Sequence, residues 1–448
     1  MGARKAKGRK SEITLEELAD EGSLAAALTC EECSTLFPLD ARTACDRCFG
    51  PLSVVYGHGP LRGTSPDEVL AGRAPGLWRY LELLPPVSPA SRERVPLGPS
   101  PLRPAPRLAR ALGLRELWLK EDLALPSGSF KDRPAGFAVA YARDLGYPAV
   151  GCASTGNLAA ATARAATLSG LPAWTFVPAG LPEAKLLPVR IFGGGIVEVE
   201  GTYDDANRVA QVLADEDRLG LVNINLRPYY VEASKTLAFE ILEERHWDPP
   251  AVWGIPLGSG ALLSATFRAL MQVQDIGWLD SSEEELPRLV GSQPEGCAPI
   301  AEAFRKGSEE IVPVAHPETI AESLAIGNPA SGYDALGAIR KTGGAADAPT
   351  ADEVRWALRE AARLEGVWSE PAGGTVLATF KRLVDQGTLD RSDSAVAFLT
   401  GAGWKTPPVW EGQDLGPRLR VSARERSLTL PDLAAFPSLA GAAAHGEV

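Results

Sequence analysis

Short apolar runs alternate with longer amphipathic stretches along most of this chain. Runs at 116–119, 148–153, 173–177, 196–199, 220–224, 251–256, 288–291 and 395–399 have the length of strands. The stretches between them, among them 203–215, 229–245 and 352–365, repeat their apolar positions with helical spacing. That alternation predicts an α/β fold with parallel sheets. Upstream, the pattern predicts a helix from Thr14 to Leu28. It also predicts an extended surface lead-in over Leu84 to Arg107, where eight prolines interrupt any regular element. Beyond Lys405 the periodicity fades around Pro407, Pro408 and Pro417, and an irregular arm is expected.

Within this frame one lysine stands out. Ser127-Gly128-Ser129-Phe130-Lys131-Asp132-Arg133 sets it between a glycine turn and the helical run Phe137 to Ala142. A lysine held at a helix end and aimed into a cleft suits attack on a carbonyl cofactor. Three further segments have the form strand, polar or glycine loop, helix or chain end. Ala153-Ser154-Thr155-Gly156-Asn157 follows an apolar run and opens an alanine-rich helix, leaving backbone N–H groups free for an anion such as a carboxylate. Gly258-Ser259-Gly260-Ala261-Leu262 follows another and has the composition of a phosphate cradle. Thr400 ends a late apolar strand, in Leu399-Thr400-Gly401-Ala402-Gly403.

In order and spacing these four segments resemble the cofactor-contacting elements of the pyridoxal-phosphate enzymes of fold type II. From about Cys30 to Lys405 the wording is similar to the threonine synthase family. The likeness is carried by Gly128-Ser129-Phe130-Lys131-Asp132-Arg133, Phe176-Val177-Pro178-Ala179-Gly180, Val231-Glu232-Ala233-Ser234-Lys235-Thr236, Ile326-Gly327-Asn328-Pro329 and Glu370-Pro371-Ala372. The resemblance implies two parallel-sheet α/β domains with pyridoxal 5'-phosphate in the cleft between them. It implies Lys131 as the lysine that binds the cofactor aldehyde and serves as general base. Asn157 would meet the ring oxygen, Gly258, Ser259, Gly260, Ala261 and Leu262 the phosphate, and Thr400 the pyridine nitrogen. Ser154 and Thr155 would receive the substrate carboxylate. A neutral hydroxyl at the ring nitrogen makes a milder electron sink than a carboxylate would, which favours elimination and replacement over transamination. The implied reaction converts O-phospho-L-homoserine and water into L-threonine and phosphate.

Two departures from the family's common wording fall near the expected substrate phosphate. Leu158 stands where many members carry a threonine. Tyr230 stands where many carry an arginine, the usual partner of a phosphate dianion; Arg227 is the obvious replacement. A related pyridoxal-phosphate lyase or β-replacement enzyme, dehydratase-like, is the alternative these positions keep open. A non-catalytic scaffold on the same fold is the reading that Lys131, Asn157, the glycine cradle and Thr400 oppose.

Cys30-Glu31-Glu32-Cys33 and Cys45-Asp46-Arg47-Cys48 have the ligand spacing of a four-cysteine zinc ribbon, a closed and therefore structural site. The same spacing also fits reduced thiols without metal. The net charge of −12 speaks against a nucleic-acid role for such a ribbon. The remaining cysteines, Cys152 and Cys297, are isolated, which fits a reducing cytoplasm. The basic segment 1–10 lacks the apolar core of a signal peptide, and no apolar run reaches membrane-span length. The four histidines form neither a metal pair nor a hydrolytic motif. The expected organisation is a disordered basic tail at 1–12 and a helix plus zinc-ribbon-like module at 13–58. A larger cofactor-binding domain follows from 59–142 and 241–407, with a smaller domain at 143–240 and an irregular arm at 408–448. The expected partner is a small amino-acid substrate, with neither nucleic acid nor membrane; a homodimer is left open.

Overall fold

The computed structural model describes residues 22–215, 219–279 and 286–415. Three sheets organise them. The first is antiparallel, in the order β2-β1-β3, from β1 (Ala25–Cys30), β2 (Leu36–Phe37) and β3 (Leu52–Tyr56). The second has six strands in the order β12-β11-β10-β13-β5-β4. They are β4 (Leu102–Pro104), β5 (Glu116–Lys120), β10 (Val252–Pro256), β11 (Arg288–Ser292), β12 (Ala345–Asp347) and β13 (Ser394–Phe398). All pair in parallel except the edge strand β4, which runs antiparallel to β5. The third, in the order β8-β7-β6-β9, is wholly parallel: β6 (Val150–Ala153), β7 (Ala173–Pro178), β8 (Gly195–Val199) and β9 (Gly220–Leu221).

The central strands explain why these sheets are parallel. Every residue of β6 and of β10 is buried, so neither strand has a polar face to show to water. Strands of that kind need helices on both sides, which crossover connections supply. Five helices concern the site: α1 (Asp132–Asp144), α2 (Asn157–Ser169), α3 (Arg227–Ala233), α4 (Ala261–Ile276) and α5 (Pro371–Asp385). Each begins at or just before one of the motifs singled out above or, for α5, at Glu370. The expected helical stretch 229–245 is two helices, α3 and Lys235–Glu244, divided at Ser234.

One expectation is overturned and another is amended. The segment from Gly22 to Leu28 is not helical: Ala25–Cys30 forms the central strand of the antiparallel sheet. The alanine-rich composition favours a helix locally, but pairing with β2 and β3 satisfies the backbone on both sides and buries Leu28 completely. Residues 14–21 of that expected helix, the tail at 1–12 and the arm beyond 415 lie outside the described residues. The proline-rich stretch is also more than an extended surface lead-in. Leu84, Val87, Ser91, Val95, Leu97, Ser100 and Ala105 are buried. The stretch contains a short helix capped by Ser88 and contributes β4 to the large sheet. Of its prolines Pro85 and Pro86 are buried, whereas Pro89, Pro96, Pro99, Pro101, Pro104 and Pro106 are exposed, so the stretch runs at the surface while its apolar side chains anchor it.

Candidate active site

Lys131 is the residue immediately before α1. Its position is set by the turn ahead of it, where the Phe130 amide donates to the Thr400 carbonyl at 2.9 Å and Ser129 bridges Gly401. The turn is closed from below by Asp132, whose carboxylate accepts from the Ser127 amide at 2.6 Å. The Lys131 ammonium lies 4.3 Å from the centre of the Phe130 ring and donates to the Tyr230 hydroxyl at 2.6 Å. No carboxylate pairs with it within 4 Å among the described residues.

Asn157 is the first residue of α2, and its amide Nδ2 donates to Glu370 Oε2 at 3.0 Å. Glu370 precedes Pro371 at the start of α5, and its own amide donates to the Gly401 carbonyl at 2.8 Å. A Cβ on Gly401 would fall 2.2 Å from the Glu370 carboxyl carbon, so only glycine lets this carboxyl approach the backbone next to Thr400. Burial raises the Glu370 pKa, against the pull of Asn157, Lys405, Ser323 and Lys131. The sequence motif Glu370-Pro371-Ala372 was visible, but no role for Glu370 could be read from it. A lone acid before a proline-started, otherwise apolar helix is the signal that could have drawn attention to it.

The cradle follows β10. Gly260 takes φ +86°, and a Cβ there would meet the Ser331 carbonyl at 2.4 Å. The backbone can close around an anion because this residue carries no side chain. Ser331 fixes the loop from the other side by donating its amide to the Ser259 carbonyl at 2.8 Å. Ala261 and Leu262 then open α4 and present its N-terminal amides. Thr400 is buried two residues beyond the end of β13.

Arg227, the first residue of α3, reaches the same loop: its Nη2 donates to the Ser331 hydroxyl at 2.9 Å. Burial pushes the Arg227 guanidinium down, while Tyr230 and Glu31 pull it up. Arg227 and Tyr230 are one turn apart on α3 and so share a face. Short contacts thus join the Lys131 turn, Thr400, Glu370 and Asn157 in one group, and the cradle, Ser331 and Arg227 in another, with Tyr230 on α3 reaching from the helix of the second to Lys131. Ser154 and Thr155 sit half-exposed in the turn that leads into Asn157, and no hydrogen bond joins them to Lys131 among the described residues. Leu158 is buried in an apolar cluster with Phe137 and Tyr230, so its replacement of a threonine serves packing.

These residues fit pyridoxal phosphate. An amine without a carboxylate partner, a glycine cradle that side chains would fill, and a neutral hydroxyl at Thr400 supply, in turn, a carbonyl nucleophile, an anion site and a partner for a pyridine nitrogen. The four thiols of the N-terminal sheet fit zinc. Cys30 and Cys48 lie 3.4 Å apart, Cys33 and Cys45 3.6 Å, and all four sulfurs fall within 4.8 Å of one another. Tetrahedral Zn–S bonds of about 2.3 Å place sulfurs about 3.8 Å apart. The Thr35 hydroxyl and amide draw the Cys33 thiol below its ordinary range.

The module carrying these thiols packs on α3. The Tyr229 hydroxyl donates to the Asp40 carbonyl at 2.8 Å, and the Tyr141 hydroxyl to the Leu39 carbonyl at 2.9 Å. The two rings stack, with centroids 3.9 Å apart. From β3, the Tyr56 hydroxyl donates to Glu232 at 2.6 Å.

Comparison with known proteins agrees with this site. Residues 94–401 match the family described as pyridoxal-phosphate dependent enzymes. The threonine synthase of Methanocaldococcus jannaschii is 36% identical over 84% of this chain and 92% of its own length. That of Methanosarcina acetivorans is 34% identical over 85% and 92%. Among solved structures, maize serine racemase superposes with a TM-score of 0.58 at 20% identity, covering 72% of this chain and 95% of its own. Threonine deaminase isoform 2 of Solanum lycopersicum superposes at 0.57 and 21%, covering 77% and 83%. At such identities these two speak to the fold alone: two parallel sheets of fold type II, here preceded by a four-cysteine antiparallel sheet. No helix among the described residues is long and apolar enough to cross a membrane. The chain belongs to the pyridoxal-phosphate-dependent enzymes, with threonine synthases among its homologues.

Proposed function

We propose that this enzyme is a threonine synthase, a carbon–oxygen lyase that converts O-phospho-L-homoserine and water into L-threonine and phosphate. The observation that carries the reading is Arg227. It brings a guanidinium to the edge of the glycine cradle, one helical turn before the position where many threonine synthases keep their phosphate-binding arginine. The charge demanded by a phosphorylated substrate is therefore kept, moved by one turn of α3. The threonine synthases that cover most of this chain support the same reaction.

The roles follow from placement. Lys131, held in place by its turn, takes the proton from the substrate Cα. Bound pyridoxal phosphate supplies the sink for the electron pair left behind. Asn157, backed by Glu370, would orient the cofactor ring, and Gly258 to Leu262 would hold its phosphate. Thr400 would face the ring nitrogen without forcing its protonation. Ser154 and Thr155 would receive the substrate carboxylate, and Arg227 its phosphate. In the N-terminal module, zinc on Cys30, Cys33, Cys45 and Cys48 would be structural, since four thiolates leave no open position.

The test is one assay on cofactor-loaded protein. O-phospho-L-homoserine, O-phosphoserine, serine and threonine are supplied in parallel, and phosphate, amino-acid and keto-acid products are followed. Equal amounts of phosphate and threonine from phosphohomoserine alone are expected. Keto acid from serine or threonine, with phosphohomoserine inert, would replace this reading with a dehydratase.

A further inference from the structure

The hydroxyl of Tyr230 occupies a position that the binding roles above leave unexplained. It is 7% exposed, packed in the same apolar cluster as Phe137 and Leu158, and its one polar contact with the reaction centre is the 2.6 Å hydrogen bond from Lys131. A group that only filled the space of an arginine could be any apolar ring. This one places an exchangeable proton on the reactive amine, from the helix face that also carries Arg227 one turn away. Lys131, with no carboxylate beside it, has Tyr230 as the group within hydrogen-bond reach that can take up a proton and release another.

Building on the threonine synthase reading, we propose that Tyr230 is a catalytic proton relay between Lys131 and the departing phosphate. Lys131 as amine accepts a proton from a substrate carbon, and the electron pair of that C–H bond stays with the substrate and bound cofactor. The resulting ammonium donates to Tyr230 Oη. When the Cγ–O bond breaks, its electron pair leaves with the phosphate oxygen. The Tyr230 O–H proton passes to that oxygen, and the tyrosine oxygen takes a proton from Lys131. Tyr230 ends neutral, Lys131 ends as amine, and one proton has moved from carbon to phosphate. Arg227 holds the phosphate dianion alongside, so one face of α3 both binds the leaving group and protonates it.

The test uses full-length, cofactor-loaded Tyr230→Phe protein, which keeps the ring and removes only the hydroxyl. Cofactor affinity is expected to stay within about 2-fold of the unmutated protein, because no cofactor contact is assigned to the hydroxyl. Exchange of the Cα hydrogen of L-threonine with solvent deuterium, followed by NMR, needs Lys131 alone and is expected to stay within about 3-fold. Phosphate release from O-phospho-L-homoserine should fall about 100-fold in kcat with KM little changed, the size of effect expected for a lost proton donor. Equal losses in exchange and release would make Tyr230 a support for Lys131 and overturn the relay, as would release at the unmutated rate. A variant that no longer holds cofactor would make the hydroxyl structural and overturn it as well. Failure of the threonine synthase reading is separate: the unmutated protein would then exchange the threonine hydrogen but release no phosphate, and the relay would lose its acceptor.

Discussion

Lys131 and Arg133 are two cations at the start of one helix, two residues apart, and their surroundings are opposite. Arg133 is fully buried and saturated. Its guanidinium meets Asp122 at 2.8 Å and Glu240 at 2.6 Å, with Ser100 and Thr236 completing its donors. Lys120 pairs with Glu240 from the other side at 2.9 Å. Burial alone would push the Arg133 guanidinium down, but Asp122 and Glu240 hold it well above its ordinary value. Lys131 has an aromatic ring and a phenol instead. The cation that holds the fold is surrounded by carboxylates; the cation that reacts is kept from them, since a carboxylate partner would stabilise the ammonium and blunt the amine. Two residues of helix separate the cases because α1 turns one side chain toward Asp122 and the helix Lys235–Glu244, and the other toward α3.

The contrast predicts different failures. Lys131→Ala should lower turnover roughly 10⁴-fold and abolish the visible band of cofactor-loaded protein, with the unfolding midpoint nearly unchanged. A comparable loss of stability would break the distinction. Arg133→Met should do the reverse. It leaves Asp122 buried without its cation and Glu240 with Lys120 alone, and denaturant titration should show a loss of about 3–5 kcal/mol. Arg227→Gln should lie between the two, raising KM for phosphohomoserine about 10- to 100-fold, as expected for one lost charge-assisted contact, with stability preserved. Tyr229→Phe, next to Tyr230 but facing the four-cysteine module, should cost only about 1 kcal/mol through its hydrogen bond to Asp40. An effect of Tyr229→Phe on kcat as large as that of Tyr230→Phe would show that the two neighbours do not divide their tasks.

The alternation of apolar runs was enough to read the parallel sheets, because strands buried on both faces write their burial directly into sequence. The glycine loops were readable for a similar reason: Gly260 meets a steric demand that another residue would break. Long-range polar pairings were not readable. Asn157 and Glu370 are 213 positions apart, and Lys131 and Tyr230 are 99. Nothing local in Glu370-Pro371-Ala372 points to an amide on another helix. Tyr230 was visible only as a departure from a familiar wording, and what it touches needed the fold. Ala25–Cys30 was misjudged because alanine favours a helix when its neighbours in space are unknown, whereas partners on both edges make it a strand.

The docking of the four-cysteine sheet on α3 bears on where this chain can be cut. The family match begins at residue 94, and a minimal catalytic fragment drawn from that boundary would look complete on paper. It would nevertheless strip the carbonyl acceptors from Tyr141 and Tyr229 and remove Tyr56 from Glu232. Two of those losses, at Tyr229 and Glu232, fall on the same short helix that carries Arg227 and Tyr230. For expression, truncation or grafting, the smallest portable unit begins upstream of Cys30.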